Sequence, residues 1–228
     1  LVLTSLDKKN TMYLMRAEVP GPEKDKLVPK AMATARILYE MYFALTAVEI
    51  VLLMFGGMSP FDSIIHAFRT AGTGGFSNYA NRIGQLDSAY IDGVITVFMI
   101  LFGINFNLFY LLLLRQFKPV WKNEELRTYL AIIATAIALI TWNITSIYGN
   151  PLKAFRYAAF QVASIITTTG FSTADYMKWP TMSQTIIIIL MIIGACASST
   201  GGGIKVSRFL IVVKSLKKEL KKMVHQKS

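Results

Sequence analysis

The chain is poor in charge, and poorer still in acid. Only 16% of its 228 residues are charged, against about 25% in soluble domains. Asp and Glu together number 13, against 24 Lys and Arg. A single cysteine, Cys196, excludes an intramolecular disulfide and any cysteine-built metal site. The two histidines, His66 and His225, stand far apart, and no metal-ligand spacing appears. No nucleophile–base set is visible, so the expectation is a chain that is not an enzyme and carries no cofactor. What remains is apolar: 54% of residues are hydrophobic and mean hydropathy is +0.47. The apolar residues fall in runs too long for core strands, which predicts an all-α membrane protein.

The basic residues are segregated. The intervals 1–36, 115–127 and 205–228 hold 7, 4 and 8 Lys or Arg, 19 of the 24. The positive-inside rule assigns these intervals to the cytoplasm. Anionic lipid headgroups are then the expected partner of the positive charge, and nucleic acid is not. The first ten residues lack an apolar stretch followed by a small-residue cleavage site, so no cleavable signal peptide is expected. Glu18-Val19-Pro20-Gly21-Pro22-Glu23-Lys24 reads as a turn. Pro29 suits the first turn of a helix.

Four spans follow, with the chain divided into a cytoplasmic segment 1–36, a first unit 37–114, a cytoplasmic loop 115–127, a second unit 128–212 and a basic tail 213–228. Ile37 to Gly56 is about long enough for a ~30 Å hydrocarbon core. Within it Glu40 reaches the headgroups. Glu49 lies deeper, where an unpaired charge costs about 2.5–3.5 kcal/mol, so a hydrogen-bonded partner or a protonated state is expected. Ser59 reads as an N-cap, with Pro60 at the first helical position and Asp62 in the first turn. The run 60–72, with His66 and Arg69, is too short and too polar to span. It is either a surface amphipathic helix or a re-entrant helix, the latter tolerated only where it lines a cavity. Ser88 to Leu114 reads as one span, with Asn105 and Asn107 as helix–helix hydrogen-bonding residues. Thr128 to Tyr148 is the third span. Asn150-Pro151 opens a second short run containing Lys153, Arg156 and Gln161, and Ser183 to Gly194 begins the fourth span.

Thr73-Gly74-Gly75-Phe76-Ser77 is nearly repeated by Thr168-Thr169-Gly170-Phe171-Ser172. Each copy follows a proline-opened short run and lies between two apolar spans. Repetition at this period is an architectural signal, and both units begin and end at basic intervals, so they are parallel rather than inverted repeats. This arrangement suits a cation-selectivity filter. Gly75 and Gly170 open backbone conformations that let successive carbonyls face one axis. Thr73, Thr168 and Thr169 can add hydroxyls, and Phe76 and Phe171 can wedge the loops. The short helices turn their partially negative C-termini toward the filter. Neither pentapeptide holds an acid, whereas Ca²⁺ and Mg²⁺ sites ordinarily use carboxylates; a monovalent ion is favoured.

Gly194-Ala195-Cys196-Ala197-Ser198-Ser199-Thr200-Gly201-Gly202-Gly203 interrupts the fourth span, and glycine disfavours helix by about 1 kcal/mol per residue relative to alanine. A phosphate loop is excluded because the Gly-Lys-Ser/Thr order is missing. A small-residue packing face is one reading. A flexible intramembrane loop beneath the filter is the preferred one, with Ser198, Ser199 and Thr200 placed to contact a passing ion.

These stretches, with Ala17-Glu18-Val19-Pro20-Gly21-Pro22 and the continuation Ile204-Lys205-Val206, resemble the Trk/Ktr/HKT family of potassium transporters, in particular the bacterial Trk/Ktr membrane subunit. That family carries four span–pore helix–filter–span repeats in a pseudo-fourfold, K⁺-channel-like fold, and this chain resembles repeats two and three. The resemblance implies K⁺ as the transported ion, bound by the residues Thr73, Gly74, Gly75, Phe76, Thr168, Thr169, Gly170 and Phe171. It implies residues 194–203 as the gating loop, a multi-pass protein of the plasma membrane, and a homodimer of the full-length subunit. A cytosolic nucleotide-binding regulatory subunit would dock on surfaces such as 115–127 and 205–228. Arg69 departs from what the family leads one to expect so near a filter. A secondary transporter with re-entrant hairpins for another solute, or a scaffold that transports nothing, are the competing readings.

Overall fold

The computed structural model describes residues 31–75 and 87–225. The 18–24 turn, Pro29, Phe76 and Ser77 lie outside the described residues. Among those described, regular structure is helical apart from one isolated parallel bridge between Ile193 and Ile204.

The first unit opens with α1 (Ala31–Phe55). Gly56 and Gly57 end it, and α2 (Pro60–Ala71) follows. Its start is the one expected: the Ser59 side chain accepts from the Asp62 amide and Pro60 occupies the first turn, where its missing N–H costs nothing. The stretch 88–114 is not one span. It divides into α3 (Ala89–Phe102) and α4 (Phe106–Leu113), whose axes differ by 93°. Asn105 caps α4, its side chain accepting from the Asn107 amide at 2.9 Å, so it organises a bend rather than joining two helices. The basic loop is also partly helical, with α5 (Phe117–Lys122) carrying Pro119 in its first turn.

The second unit comprises α6 (Glu124–Tyr148), α7 (Pro151–Ile166), α8 (Thr181–Ile192) and α9 (Val206–His225). A 3₁₀ turn, Tyr176–Lys178, precedes α8. Among the described residues, two helices are long and apolar enough to cross a membrane, three if α3 and α4 are one broken span. At 12 and 16 residues, α2 and α7 reach only about 18 and 24 Å at 1.5 Å per residue, short of a ~30 Å core.

The short helix α7 is the centre of the packing. Ala154, Ala158, Val162 and Ile166 form a stripe at four-residue spacing against Tyr129, Ile133, Ala136, Ile140 and Ile144 of α6. The alanines let the two backbones approach closely. Its other side enters the first unit, where Phe160 and Ala163 join Leu53, Ala67, Ile91, Ile95 and Met99. At its start Arg156 donates to Asp92 of α3 at 2.7 Å and to Asp87 at 3.1 Å. Asp92 is buried, so this pair fastens one unit to the other within the protein interior. A helix buried on two sides does not lie flat on a membrane surface.

Glu49 is fully buried on α1, and neither of its carboxyl oxygens has a hydrogen-bond partner among the described residues. The Thr70 hydroxyl lies beside it but donates to the His66 carbonyl at 2.9 Å. The expected partner is therefore not found, and the uncharged carboxyl is the form that such a depth favours.

Candidate functional site

The last turns of α2 and α7 lead into loops with the same backbone. In the first, Thr73 has φ 50° and Gly75 φ 63°; in the second, Thr168 has φ 57° and Gly170 φ 81°. Gly74 and Thr169 between them keep negative φ. Left-handed dihedrals in two β-branched threonines cost about 1–3 kcal/mol each and persist only where the surroundings impose them. Here the imposing bonds are equivalent. Gly74 donates to the Arg69 carbonyl at 2.8 Å, and Thr169 to the Ser164 carbonyl at 2.9 Å. Alternating the hand of successive residues turns consecutive carbonyls toward the same side, unlike the opposite-facing pattern of a strand.

The two loops meet. A side chain built on Gly75 would place its Cβ 1.9 Å from the Thr169 carbonyl oxygen, and the Cα of Gly75 lies 3.9 Å from the corresponding position on Gly170. Both glycines are thus required by φ, and Gly75 also by space. Phe171 is buried, and its ring stacks on His66 of α2 with centroids 6.0 Å apart. Its carbonyl accepts from the Ser164 hydroxyl at 2.6 Å, behind the loop. Phe171 is thus fixed by its buried ring and by the bond to its carbonyl.

Residues 194–203 pack against the first residue of each loop. The Thr73 hydroxyl donates to the Thr200 carbonyl at 3.4 Å, and the Gly202 amide donates to the Thr168 hydroxyl at 2.6 Å. The Thr169 hydroxyl shares a hydrogen bond with Thr167 at 2.8 Å. All three threonine hydroxyls therefore have protein partners.

Each residue from Gly194 to Gly202 of the glycine-rich loop takes part in a hydrogen bond. Gly194 donates to the Ile204 carbonyl, Cys196 to Gly103, Ala197 to the Glu125 carboxylate, and Thr200 to Phe102. The Ala195 carbonyl accepts from Val206, Ser198 from Phe106, and Gly201 from the Lys205 ammonium. The Ser199 hydroxyl donates to the Cys196 carbonyl and that of Thr200 to Phe102, so both are occupied by main chain. Irregular backbone at membrane depth must be satisfied within the protein, and this loop meets that requirement almost residue by residue. The small side chains serve the same end. A Cβ on Gly194 would fall 2.1 Å from the Gly202 carbonyl oxygen.

Glu125 and the Arg156–Asp92 pair were not singled out from sequence as parts of this region. Glu124 and Glu125 are two adjacent acids at the end of an otherwise basic interval, which is the one available signal. Arg69 stands at the position in α2 that Ser164 holds in α7, as the matching carbonyl bonds to Gly74 and Thr169 show. Among the described residues no cluster of His, Cys, Asp or Glu could hold a metal ion.

The whole chain, residues 1–228, matches the family described as TrkH, cation transport protein. It is 39% identical over 219 residues to the Trk system potassium uptake protein TrkH of Escherichia coli (strain K12), covering 94% of this chain and 45% of that protein. It is 37% identical over 224 residues to the TrkH of Vibrio parahaemolyticus serotype O3:K6, covering 95% and 46%. The crystal structure of the potassium transporter TrkH from Vibrio parahaemolyticus matches with a TM-score of 0.85 at 32% identity, over 95% of this chain and 47% of that one. The chain spans about half the length of the curated relatives it matches. A match over every residue, joined to the shared helical architecture, means that this chain belongs to the TrkH family of cation transport proteins.

Proposed function

We propose that the chain forms half of the pore of a plasma-membrane potassium uptake subunit, in which main-chain carbonyls replace the water shell of the ion. The observation that carries this reading is the pairing of two loops with the same alternating backbone, meeting at Gly75 and Gly170. With the threonine hydroxyls occupied, the ligands are the carbonyl oxygens of Thr73, Gly74, Thr168 and Thr169, completed by two more strands from the rest of the subunit. Carbonyl dipoles without a carboxylate suit a monovalent cation such as K⁺. The C-termini of α2 and α7 add negative potential at the same place.

Residues 194–203 are the gate. Their contacts with Thr73 and Thr168 support a loop that closes the path directly beneath the filter. Opening it requires exchanging a set of specific hydrogen bonds, which makes it a two-position element rather than a loose flap. The full-length subunit is a homodimer, and its basic cytoplasmic surfaces receive a nucleotide-binding regulatory subunit and anionic lipid. The two units share one orientation, with residues 78–87 and 173–182 outside.

Flux assays on the full-length subunit test the gate. Shortening 194–203 raises K⁺ uptake severalfold; unchanged uptake retires the gating role. Tags in 78–87 and 173–182 should both be reached by impermeant reagents from outside. Access to only one would favour inverted repeats and a secondary transporter for another solute.

A further inference from the structure

Glu125 lies in the first turn of α6 and is buried. One of its oxygens, Oε1, accepts two main-chain N–H groups from distant parts of the chain, that of Ala197 at 2.7 Å and that of Ser207 at 3.1 Å. Ala197 is in the middle of the glycine-rich loop, and Ser207 is in the first turn of α9. A single carboxylate therefore joins the loop to the helix that leaves it. The N-terminus of α6 favours a negative charge at this point, and the neighbouring Glu124 forms an ion pair with Lys214, two turns further along α9. The Lys205 ammonium, within electrostatic range of Glu125, donates to the Gly201 carbonyl of the same loop.

The opposite side of the loop is held differently. There it bonds to main-chain groups exposed by the bend between α3 and α4: the Phe102 and Gly103 carbonyls and the Phe106 amide. Those partners are fixed by the fold and carry no replaceable side chain. On the α6 side, the Ala197 amide depends on Glu125 alone among the described partners.

We propose that Glu125 is a positioning residue, a latch that holds the glycine-rich loop seated and ties its position to that of α9. Any movement that carries α9 away from α6 withdraws Ser207 from Glu125 and weakens the hold on Ala197 in the same step. The proposal rests on the reading of 194–203 as the gate, but its core claim concerns the position of the loop, which can be measured without measuring flux.

Cys196, next to Ala197 and fully buried, is the probe. In the full-length subunit with every other cysteine replaced, a charged methanethiosulfonate applied from the cytoplasmic side reports its exposure. Glu125→Ala, which removes the acceptor, raises the Cys196 modification rate about tenfold or more. Glu125→Gln, whose amide oxygen still accepts, stays within about threefold of the native rate. Ser207→Pro removes one of the two donors at a first-turn position that tolerates proline, and gives an intermediate rise even if the alanine variant does not fold. A native rate in Glu125→Ala or in Ser207→Pro overturns the latch, and so does an equal rise in the alanine and glutamine variants. Faster modification with unaltered K⁺ flux upholds the latch and overturns the gating role of the loop instead.

Discussion

The two units reach the same loop backbone from different helices and then part company. Thr73 and Gly75 match Thr168 and Gly170 in the sign of φ, yet α2 has 12 residues where α7 has 16, roughly one turn more. The helices after the loops are both broken, the first for three residues between Phe102 and Phe106, the second for thirteen between Ile192 and Val206. The short break leaves carbonyls at Phe102 and Gly103 and an amide at Phe106 without helical partners. The long break supplies Cys196, Thr200 and Ser198 to meet them. A broken helix at membrane depth is tolerable only when its freed groups find partners, and here each break satisfies the other. The duplication thus accounts for the paired loops, and the departure from duplication for the segment packed against them.

Substitutions at matched positions separate these contributions. Gly75→Ala has the largest expected effect. It adds a Cβ 1.9 Å from the Thr169 oxygen at φ 63°, so K⁺ uptake by the full-length subunit falls more than about tenfold on strain alone. Activity near native would show that the loops are not in contact. Arg156→Ala acts on the joint between the units. It leaves the buried Asp92 without its partner, lowering stability by about 2–4 kcal/mol, less than a wholly buried pair because Arg156 keeps 19% exposure. A melting temperature in detergent lowered by several degrees, with K⁺ over Na⁺ preference retained, is the expected result; an unmoved melting temperature would dissolve the joint.

Gly170→Ser is milder than the change at Gly75, because the nearest atom to its Cβ is 3.9 Å away. Its φ of 81° still constrains a side chain, and the expected outcome is a severalfold loss of K⁺ over Na⁺ selectivity with uptake partly retained. Selectivity unchanged in flux assays would count heavily against a carbonyl filter. Glu49→Gln is the smallest. The amide is nearly isosteric with the carboxyl, so uptake should change less than about twofold; a large loss would give Glu49 an ionised role.

The repeat, the two short helices and their caps were legible because they rest on local chemistry: Ser59-Pro60 and Asn150-Pro151 mark helix starts in any context. The bend at 103–105 was hidden. The apolar run is continuous across it, and Asn105 looks the same in a sequence whether it caps a helix or bridges two. The glycine-rich stretch was legible as a break in the helix, but composition reports the absence of side chains and not the main-chain bonds that replace them. Glu125 has a partner 72 residues away in sequence, and no local pattern encodes such a contact. For Glu49 the sequence left a hydrogen-bonded partner and a protonated state as alternatives, because it does not show that the neighbouring Thr70 bonds back to its own helix.

The central claim is that dehydrated K⁺ sits among the carbonyls of 73–74 and 168–169. Anomalous scattering from Rb⁺ or Tl⁺ in crystals of the full-length subunit measures this directly. The account predicts a peak on the axis within coordination distance of the Thr73, Gly74, Thr168 and Thr169 oxygens. A bound ion found only elsewhere along the pore, with those oxygens facing protein, would contradict it.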